Sequence, residues 1–471
     1  MPRCVRTTAL TFVALFAAGC TLGPDYARPT IDTPTAYRNA DATSPAPTLE
    51  NVSAWWTGFG DPQLDALVTE ALAANHDLRI AALRVDEFAA RARTTRAQAF
   101  PQVGYGATAG RQGIGDVSTG TYSAVLSARW ELDLWGRVRR ETEAARADLF
   151  ATEEARRGIA LTLVGTVVSG YVTLLQLDRQ LAISEATVDG RKKNVDLFRV
   201  RLEGGAVSDF EFLQVQAEYE AALATLPDIR LAIAQQEHAL STLVGRNPGP
   251  IARGKPLEGL AEPQIAAELP SKLLERRPDI LQAEQQLVSA NALVGAARAL
   301  YFPSVSLTGT GGTASNELDA LFSGPARSWS FVGQLLGPLF AGGAIDAANA
   351  QAVARREQSV ENYRATIQDA FRDVDDALAA IRESRELVTT LQRRVAALDR
   401  AVGLATERYD NGYADYFEVL DTERNLFNAQ LSLANARGDG YRARTDLYRA
   451  LGGDWRAQAV PAPDAVSQRS E

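Results

Sequence analysis

His76 and His238 are the only histidines of this 471-residue chain, and Cys4 and Cys20 are its only cysteines. A zinc site built from them would need carboxylates to complete four ligands. Acidic residues are plentiful, 58 against 49 basic ones, but they are spread along helical stretches where a solvated face is the ordinary explanation. Neither a Gly-Lys phosphate loop nor a nucleophile elbow is present. The chain is therefore read as no enzyme, with no catalytic residue, no metal and no cofactor. A net charge of −9 without a basic tract argues against nucleic acid as a partner.

One covalent chemistry is written near the start. Arg3 and Arg6 precede the apolar stretch Ala9 to Phe16, and Ala17-Ala18-Gly19-Cys20 follows. Basic residues, a short apolar core and small residues at the cut describe a secretory signal over 1–19. Small residues before a cysteine are also the pattern of a bacterial lipobox, in which Cys20 becomes the acylated first residue. Ala17 departs from that pattern, which usually has Leu there. Cys4 leaves with the signal, so the mature chain has no disulfide and depends on packing and assembly. After the first twenty residues no apolar run is expected to approach the about 18 residues of a spanning helix.

The elements that must position any site occur twice. Asp77, Arg96, Ala97, Phe100, Pro101 and Val103 recur at one constant offset as Asp279, Arg298, Ala299, Phe302, Pro303 and Val305. Further on, Gly205, Phe210, Glu211, Leu213, Leu226, Arg230, Leu240 and Gly245 recur as Gly412, Phe417, Glu418, Leu420, Leu433, Arg437, Leu447 and Gly452. A repeat of about 190 residues is too long for a solenoid and marks two copies of one architectural half. The boundaries read as an N-terminal segment 20–61, a first repeat 62–247, a linker 248–269, a second repeat 270–455 and a tail 456–471.

Each half holds a stretch without proline, from Arg137 to Glu203 and from Gly343 to Asp410. At about 67 residues each, these are helices of roughly 100 Å. Ile367, Phe371, Val374, Leu378, Ile381, Val388, Leu391, Val395, Leu398, Val402, Ala405 and Tyr409 recur in steps of three and four with one longer step, a heptad seam. Each long helix ends at a tight turn, Gly204-Gly205-Ala206-Val207 or Asn411-Gly412-Tyr413-Ala414, and a second helix returns from Ser208 or Asp415. Ser208 followed by Glu211 is a capping box, and Asp415 followed by Glu418 is a near relative. A kink is expected at Pro227 in the first return helix.

Between the helices each half inserts two stretches of period two. Tyr122, Ala124, Leu126, Ala128, Trp130 and Leu132 interleave with Ser123, Val125, Ser127, Arg129 and Glu131, and Val103, Tyr105 and Ala107 with Gly104, Gly106 and Thr108. In the second half Val305 and Leu307 alternate with Ser304, Ser306 and Thr308, and Trp329, Phe331 and Leu335 with Ser328, Ser330 and Gln334. Such alternation over about ten residues is the signature of an outer-membrane strand. Four strands leave two open edges, which hydrocarbon does not tolerate, so several copies must pool strands into one barrel.

The chain resembles the outer-membrane efflux factors of the TolC, OprM and NodT type, in the lipoprotein branch serving resistance-nodulation-division pumps. The residues that carry the resemblance are Trp55-Trp56, Phe59-Gly60-Asp61-Pro62-Gln63-Leu64, Asn75-His76-Asp77-Leu78, Leu273 to Ile280 and Tyr301-Phe302-Pro303. It implies a mainly α fold with a membrane β part. Duplicated long hairpins would form a trimeric α-barrel, and four strands per protomer would share a twelve-stranded β-barrel. A dimeric barrel of about eight strands would be nearly filled by its own side chains, which suits a conduit poorly.

The resemblance further implies a periplasmic aperture at the hairpin tips, carried by Glu211, Tyr409, Gly412, Glu418 and Asp421, with Gly204, Gly205 and Asn411 forming the turns. Ala414 stands where some members have a basic residue. Tyr301, Phe302, Trp135 and Phe340 resemble an interfacial aromatic girdle, and Trp55 and Trp56 read as packing anchors. The implied function is a passive trimeric channel of a tripartite drug or toxic-compound efflux system. Its partners would be outer-membrane lipid, a periplasmic adaptor and an inner-membrane transporter of the resistance-nodulation-division class. The exit duct of a type I protein-secretion system is the alternative, and a secreted coiled coil without a pore or a periplasmic hydrolase are rivals of other classes. With Cys20 as the anchor, Cys20→Ser is expected to abolish acyl labelling while the protein stays in the outer membrane; equal labelling of mutant and wild type would remove the assignment.

Overall fold

The computed structural model describes residues 21–39, 54–263 and 270–453. Residues 1–19, Cys20, the end of the linker and the tail 456–471 lie outside the described residues. The elements run α1 (Pro62–Ala74), α2 (His76–Ala97), β1 (Gln102–Ile114), β2 (Val117–Leu132), α3 (Arg137–Glu203) and α4 (Asp209–Leu243). The same order then returns as α5 (Pro270–Arg276), α6 (Pro278–Ala299), β3 (Ser304–Ser315), β4 (Arg327–Leu336), α7 (Ala344–Asp410) and α8 (Tyr416–Ala450). Three helix pairs match residue for residue in length: α2 and α6 have 22, α3 and α7 have 67, α4 and α8 have 35. Insertions since the duplication have therefore spared these three pairs.

The chain divides into two compact units, each made of separate stretches. The first contains residues up to Ile31, Ala82–Ala155 and Leu281–Thr366; the second contains Asp32–Ala81, Arg156–Ile280 and the chain from Ile367 on.

The first unit holds one antiparallel sheet in the order β1-β2-β3-β4. Its register carries the alternation across all four strands. Tyr105 pairs with Leu126, Leu126 with Gly311 and Gly311 with Trp329; Val103, Ala128, Gly309 and Phe331 form the parallel row beside them. The intervening row, on the opposite face, is Gly104, Ser127, Thr310 and Ser330, and the Thr310 and Ser330 hydroxyls lie 2.7 Å apart. Apolar residues thus cover one face and small polar ones the other, as the period-two pattern required.

Where strands meet helices, aromatic side chains fasten the backbone. Trp135 donates its indole N–H to the Pro303 carbonyl at 2.7 Å and stacks on Phe302 at 4.7 Å; Trp130 donates to the Ala99 carbonyl at 3.0 Å. The Tyr301 hydroxyl reaches Asp346 at 2.6 Å. Phe340 takes no part in this cluster and stays 91 % exposed, because it sits in the Pro338–Gly343 turn between β4 and α7.

In the second unit the expected seam of α7 is buried or half-buried at every one of its positions, with Ile367 and Val374 fully enclosed. One expectation needs correcting. Residues 158–177 of α3 are free of charge for twenty residues, long enough to cross a membrane. They are a protein core instead: Leu163, Val164, Val167, Val168, Tyr171, Val172, Leu174 and Leu175 are buried with Trp55, Trp56 and Phe59. Trp55 stacks on Tyr448 at 4.5 Å, so both tryptophans do anchor the N-terminal segment.

Asp61 is fully buried at the entrance of α1. Its carboxylate caps Gln63 N–H at 2.9 Å, accepts from the Tyr171 hydroxyl at 2.9 Å and from Lys255 N–H at 2.9 Å. Tyr171 in turn accepts from Gly254 N–H at 2.9 Å, and a Cβ on Gly254 would lie 2.0 Å from the Asp61 carboxylate. A buried carboxylate is tolerable only with such a complete set of donors. The linker is thereby tied to α1 and α3. Through Pro227, α4 continues as one helix.

If the two faces of the sheet are as the register places them, Leu126→Arg puts a charge on the lipid side at about 2–4 kcal/mol near the midplane, whereas Ser127→Arg points away from lipid and is tolerated. Membrane yield of assembled protein for the two variants decides this, and equal loss in both would show that the alternation has another cause.

Candidate functional site

The two hairpin tips end their long helices by the same backbone device. Gly205 and Gly412 adopt φ of 71° and 74°, the left-handed region where a Cβ is strained. Each turn then closes with a pair of reversed bonds: Ala206 N–H to Arg201 O at 2.8 Å and Gly205 N–H to Leu202 O at 2.9 Å, and likewise Tyr413 to Arg408 at 2.8 Å and Gly412 to Tyr409 at 2.9 Å. This is the Schellman pattern, which satisfies carbonyls that a helix end leaves free. Gly204 belongs to the last helical turn through its bond to Val200 O at 3.1 Å, and Asn411 donates its side-chain amide to Glu407 O at 2.7 Å.

Side chains break the symmetry. In the first hairpin Ser208 and Glu211 form a complete capping box: Glu211 N–H reaches the Ser208 hydroxyl at 3.2 Å, and the Glu211 carboxylate accepts from Ser208 N–H at 2.8 Å and its hydroxyl at 2.9 Å. Those bonds, the backbone one foremost, hold the Glu211 carboxyl below the usual glutamate range. Glu211 is thus committed to its helix end. In the second hairpin Asp415 makes no side-chain cap, and Glu418 faces Arg408 at 3.6 Å. Asp421 is clasped by Arg424 at 2.6 Å and by the Asn425 amide at 3.1 Å.

Tyr409 lies in an aromatic cluster that joins the hairpins. Phe198 from α3 lies 4.3 Å from Tyr416, Tyr409 meets Tyr416 edge-on at 4.9 Å, and Arg201 donates to the Tyr409 hydroxyl at 3.0 Å while lying over both Phe198 and Tyr409. Phe198 is 1 % exposed.

Next to this cluster is a charged group that the motifs did not reveal. Arg191, with its side chain only 7 % exposed, bonds the Glu218 carbonyl at 2.5 Å and its carboxylate at 3.1 Å, and lies over the Phe427 ring at 5.9 Å. Glu423 faces the same arginine and hydrogen-bonds Asn194. Burial pushes its carboxyl above the usual range, Glu218 adds to that, and Arg191 and Asn194 oppose it. A signal was present in the repeat: at the offset that aligns α3 with α7, Arg191 falls on the seam residue Leu398 and Glu423 on Gln216. A charge where the other copy keeps a seam leucine marks a departure from simple packing.

A model of the outer membrane efflux protein family matches residues 67–246 and again 269–453, one match for each copy. The chain belongs to the outer membrane efflux protein family. It is similar to the cation efflux system protein CusC of Escherichia coli O6:H1, at 35 % identity over 94 % of this chain and 97 % of that protein. It is as similar to the toluene efflux pump outer membrane protein TtgI of Pseudomonas putida, at 35 % identity over 94 % and 97 %. The structure of the open state of the Neisseria gonorrhoeae MtrE outer membrane channel superposes with a TM-score of 0.84 at 32 % identity, covering 92 % of this chain and 98 % of that one.

A raised glutamate pKa means that the folded state takes up a proton more readily than the unfolded chain, so stability increases as pH falls through the folded value. Glu423→Gln removes that linkage. The variant is expected to gain more thermal stability at about pH 7.5 than at about pH 5, and an equal change at both would place the carboxyl in free solvent contact. Glu211 runs the other way: its lowered pKa contributes stability above the unfolded value, lost as pH falls through the folded one.

Proposed function

We propose that this chain is the passive exit duct of a tripartite efflux system, a homotrimer whose sheets close one twelve-stranded barrel in the outer membrane and whose hairpins line the periplasmic passage. The observation that carries the reading is the sheet itself: four strands with an apolar face, a small polar face and two unpaired edges. Such a sheet is stable in lipid only when other copies complete it. Family members are transport channels, and a partner must supply the energy. A periplasmic adaptor and an inner-membrane resistance-nodulation-division transporter are the partners this reading assigns.

Two relatives of equal identity, one named for cation and one for toluene efflux, support a cargo chosen by the pump rather than by the duct. The repeats 62–247 and 270–455, joined by 248–269, are the two halves of each protomer in this assignment. Lipidation at Cys20 is assigned from Ala17-Ala18-Gly19-Cys20; after it, Leu22 N–H bonds the Trp135 carbonyl at 3.2 Å, and Arg140 holds Leu22 O at 3.1 Å and Asp25 at 2.8 Å.

Glu418, Asp421, Tyr409 and Gly412 are assigned to the aperture, with Glu211 as a structural cap beside it. Arg408 and Arg424 neutralise the two acids in part, so the tip is a set of exposed ion pairs rather than a bare acidic ring. Exposed pairs of this kind hold weakly, at about 0–1 kcal/mol each, which suits a constriction that has to open. In planar bilayers the wild type is expected to conduct, and neutralising Glu418 and Asp421 together to weaken cation preference without unfolding the protein. The reversal potential in a salt gradient measures this, and an unchanged value would take both residues out of the pore.

A further inference from the structure

The sheet carries very little charge, and the register sorts what there is. Among the residues of β1 to β4 only Arg111, Arg129, Glu131 and Arg327 are charged. Arg111 and Arg327 share the apolar face of Tyr105, Leu126 and Trp329, whereas Arg129 and Glu131 share the polar face of Ser127. Glu131 is held by Arg137 at 2.9 Å, and Arg137 also reaches Glu141, which lies on α3 beyond the sheet. Arg129 is exposed and has no carboxylate partner among the described residues. One unpaired cation therefore stands on a face whose only other charge is already engaged.

The backbone fixes where that cation sits. Arg129 pairs with Gln102 on one side and Thr308 on the other, three residues before β2 ends, and the next residue, Trp130, is tied to the Ala99 carbonyl at 3.0 Å. A neighbouring copy's sheet cannot neutralise it, because each copy brings the same polar face with the same engaged glutamate. Closing three such sheets into one barrel repeats Arg129 at a single level. Twelve strands about 4.8 Å apart and tilted by about 40° enclose a backbone ring roughly 24 Å across. Its wall is then about 12 Å from its axis, close to the Debye length of about 10 Å at 0.1 M salt. A guanidinium set inward of that wall acts on ions across the whole lumen.

We infer that Arg129 is a selectivity element of the barrel, one of three guanidinium groups in a ring that attracts small anions and repels cations. Rings of basic side chains have this effect in pores, and inward-facing positions of a membrane barrel are where selectivity is tuned. The inference deepens the duct reading and rests on it. Ion preference is then set at two places of opposite sign, by the acids at the hairpin tips and by the arginines in the barrel.

The test uses the full-length trimer in planar bilayers, with reversal potentials read in a gradient of potassium chloride from about 0.1 M to about 0.01 M, where screening is weak. Glu418→Gln with Asp421→Asn serves as the parent, so that the acids of the tips do not mask the barrel. In that parent, Arg129→Gln is expected to raise the potassium-to-chloride permeability ratio about twofold or more, and Arg129→Glu to raise it further. Arg129→Lys keeps the charge and is expected to keep the ratio. Arg327→Gln, on the opposite face of the sheet, is expected to leave it unchanged. At about 1 M salt, where the Debye length falls to about 3 Å, the differences are expected to shrink. An unchanged ratio in both Arg129→Gln and Arg129→Glu overturns the inference, and so does an equal rise in Arg327→Gln. Arg129→Lys shifting the ratio as far as Arg129→Gln overturns it too, because charge would not be what the residue supplies. Loss of trimer in every Arg129 variant with Arg327→Gln intact does the same, by making the residue a strand-pairing element. A parent and wild type that are both silent overturn the duct and the ring together, whereas conducting pores of unchanged ratio overturn the ring alone.

Discussion

Hydrocarbon offers no hydrogen bonds, and that single deficit governs how this chain is arranged. Where the four strands overlap, the N–H and C=O groups of β2 and β3 find partners inside the sheet, but those on the outer edges of β1 and β4 cannot. A protein with this sheet is incomplete as a monomer. The apolar row through Tyr105, Leu126 and Trp329 and the polar row through Gly104, Ser127 and Ser330 then have opposite destinations, lipid and lumen. Glycines in both rows, Gly311 in the first and Gly104 in the second, leave room for the strong twist of a small barrel.

Much of this was legible from the residues alone, for identifiable reasons. The bounds of α3 and α7 were readable to within a residue, because Gly205 and Gly412 are the only economical way to stop a helix of that length and the strand ends carry proline or glycine. The strands were readable because their period of two has no competitor on a sheet with two different surroundings. Contacts between hairpins were not readable. Arg191, Glu218 and Glu423 come from three helices, and only folding brings them to one place. Glu211 was visible both as a cap and as an aperture residue, and the bonds to Ser208 show the cap.

Asp61 shows the same limit in a different form. Its position before Pro62 announces a helix start, yet nothing local says that the same carboxylate receives Tyr171 and the backbone of the linker. The cost of burying an acid is offset there by donors from three parts of the second unit. Gly254 is needed at that point because any side chain would collide with the carboxylate. The linker is therefore held by a site with no tolerance for added volume, although its own sequence reads only as a proline-rich connection.

The charge-free stretch 158–177 faces a demand that has nothing to do with the folded protein. A secreted chain crosses the inner membrane unfolded, and the translocation machinery samples each segment for its affinity for lipid. Twenty uncharged residues invite retention. Gly158, Gly165 and Gly170, with Thr162, Thr166 and Ser169 between them and Thr173 after them, dilute the leucines and valines that build the core. Gly170 also admits Gln236 and Leu240 at close range, so the dilution costs the core little. Passage and packing thus make the same demand at Gly170, where a larger apolar residue would both raise the lipid affinity of the stretch and collide with Gln236 and Leu240.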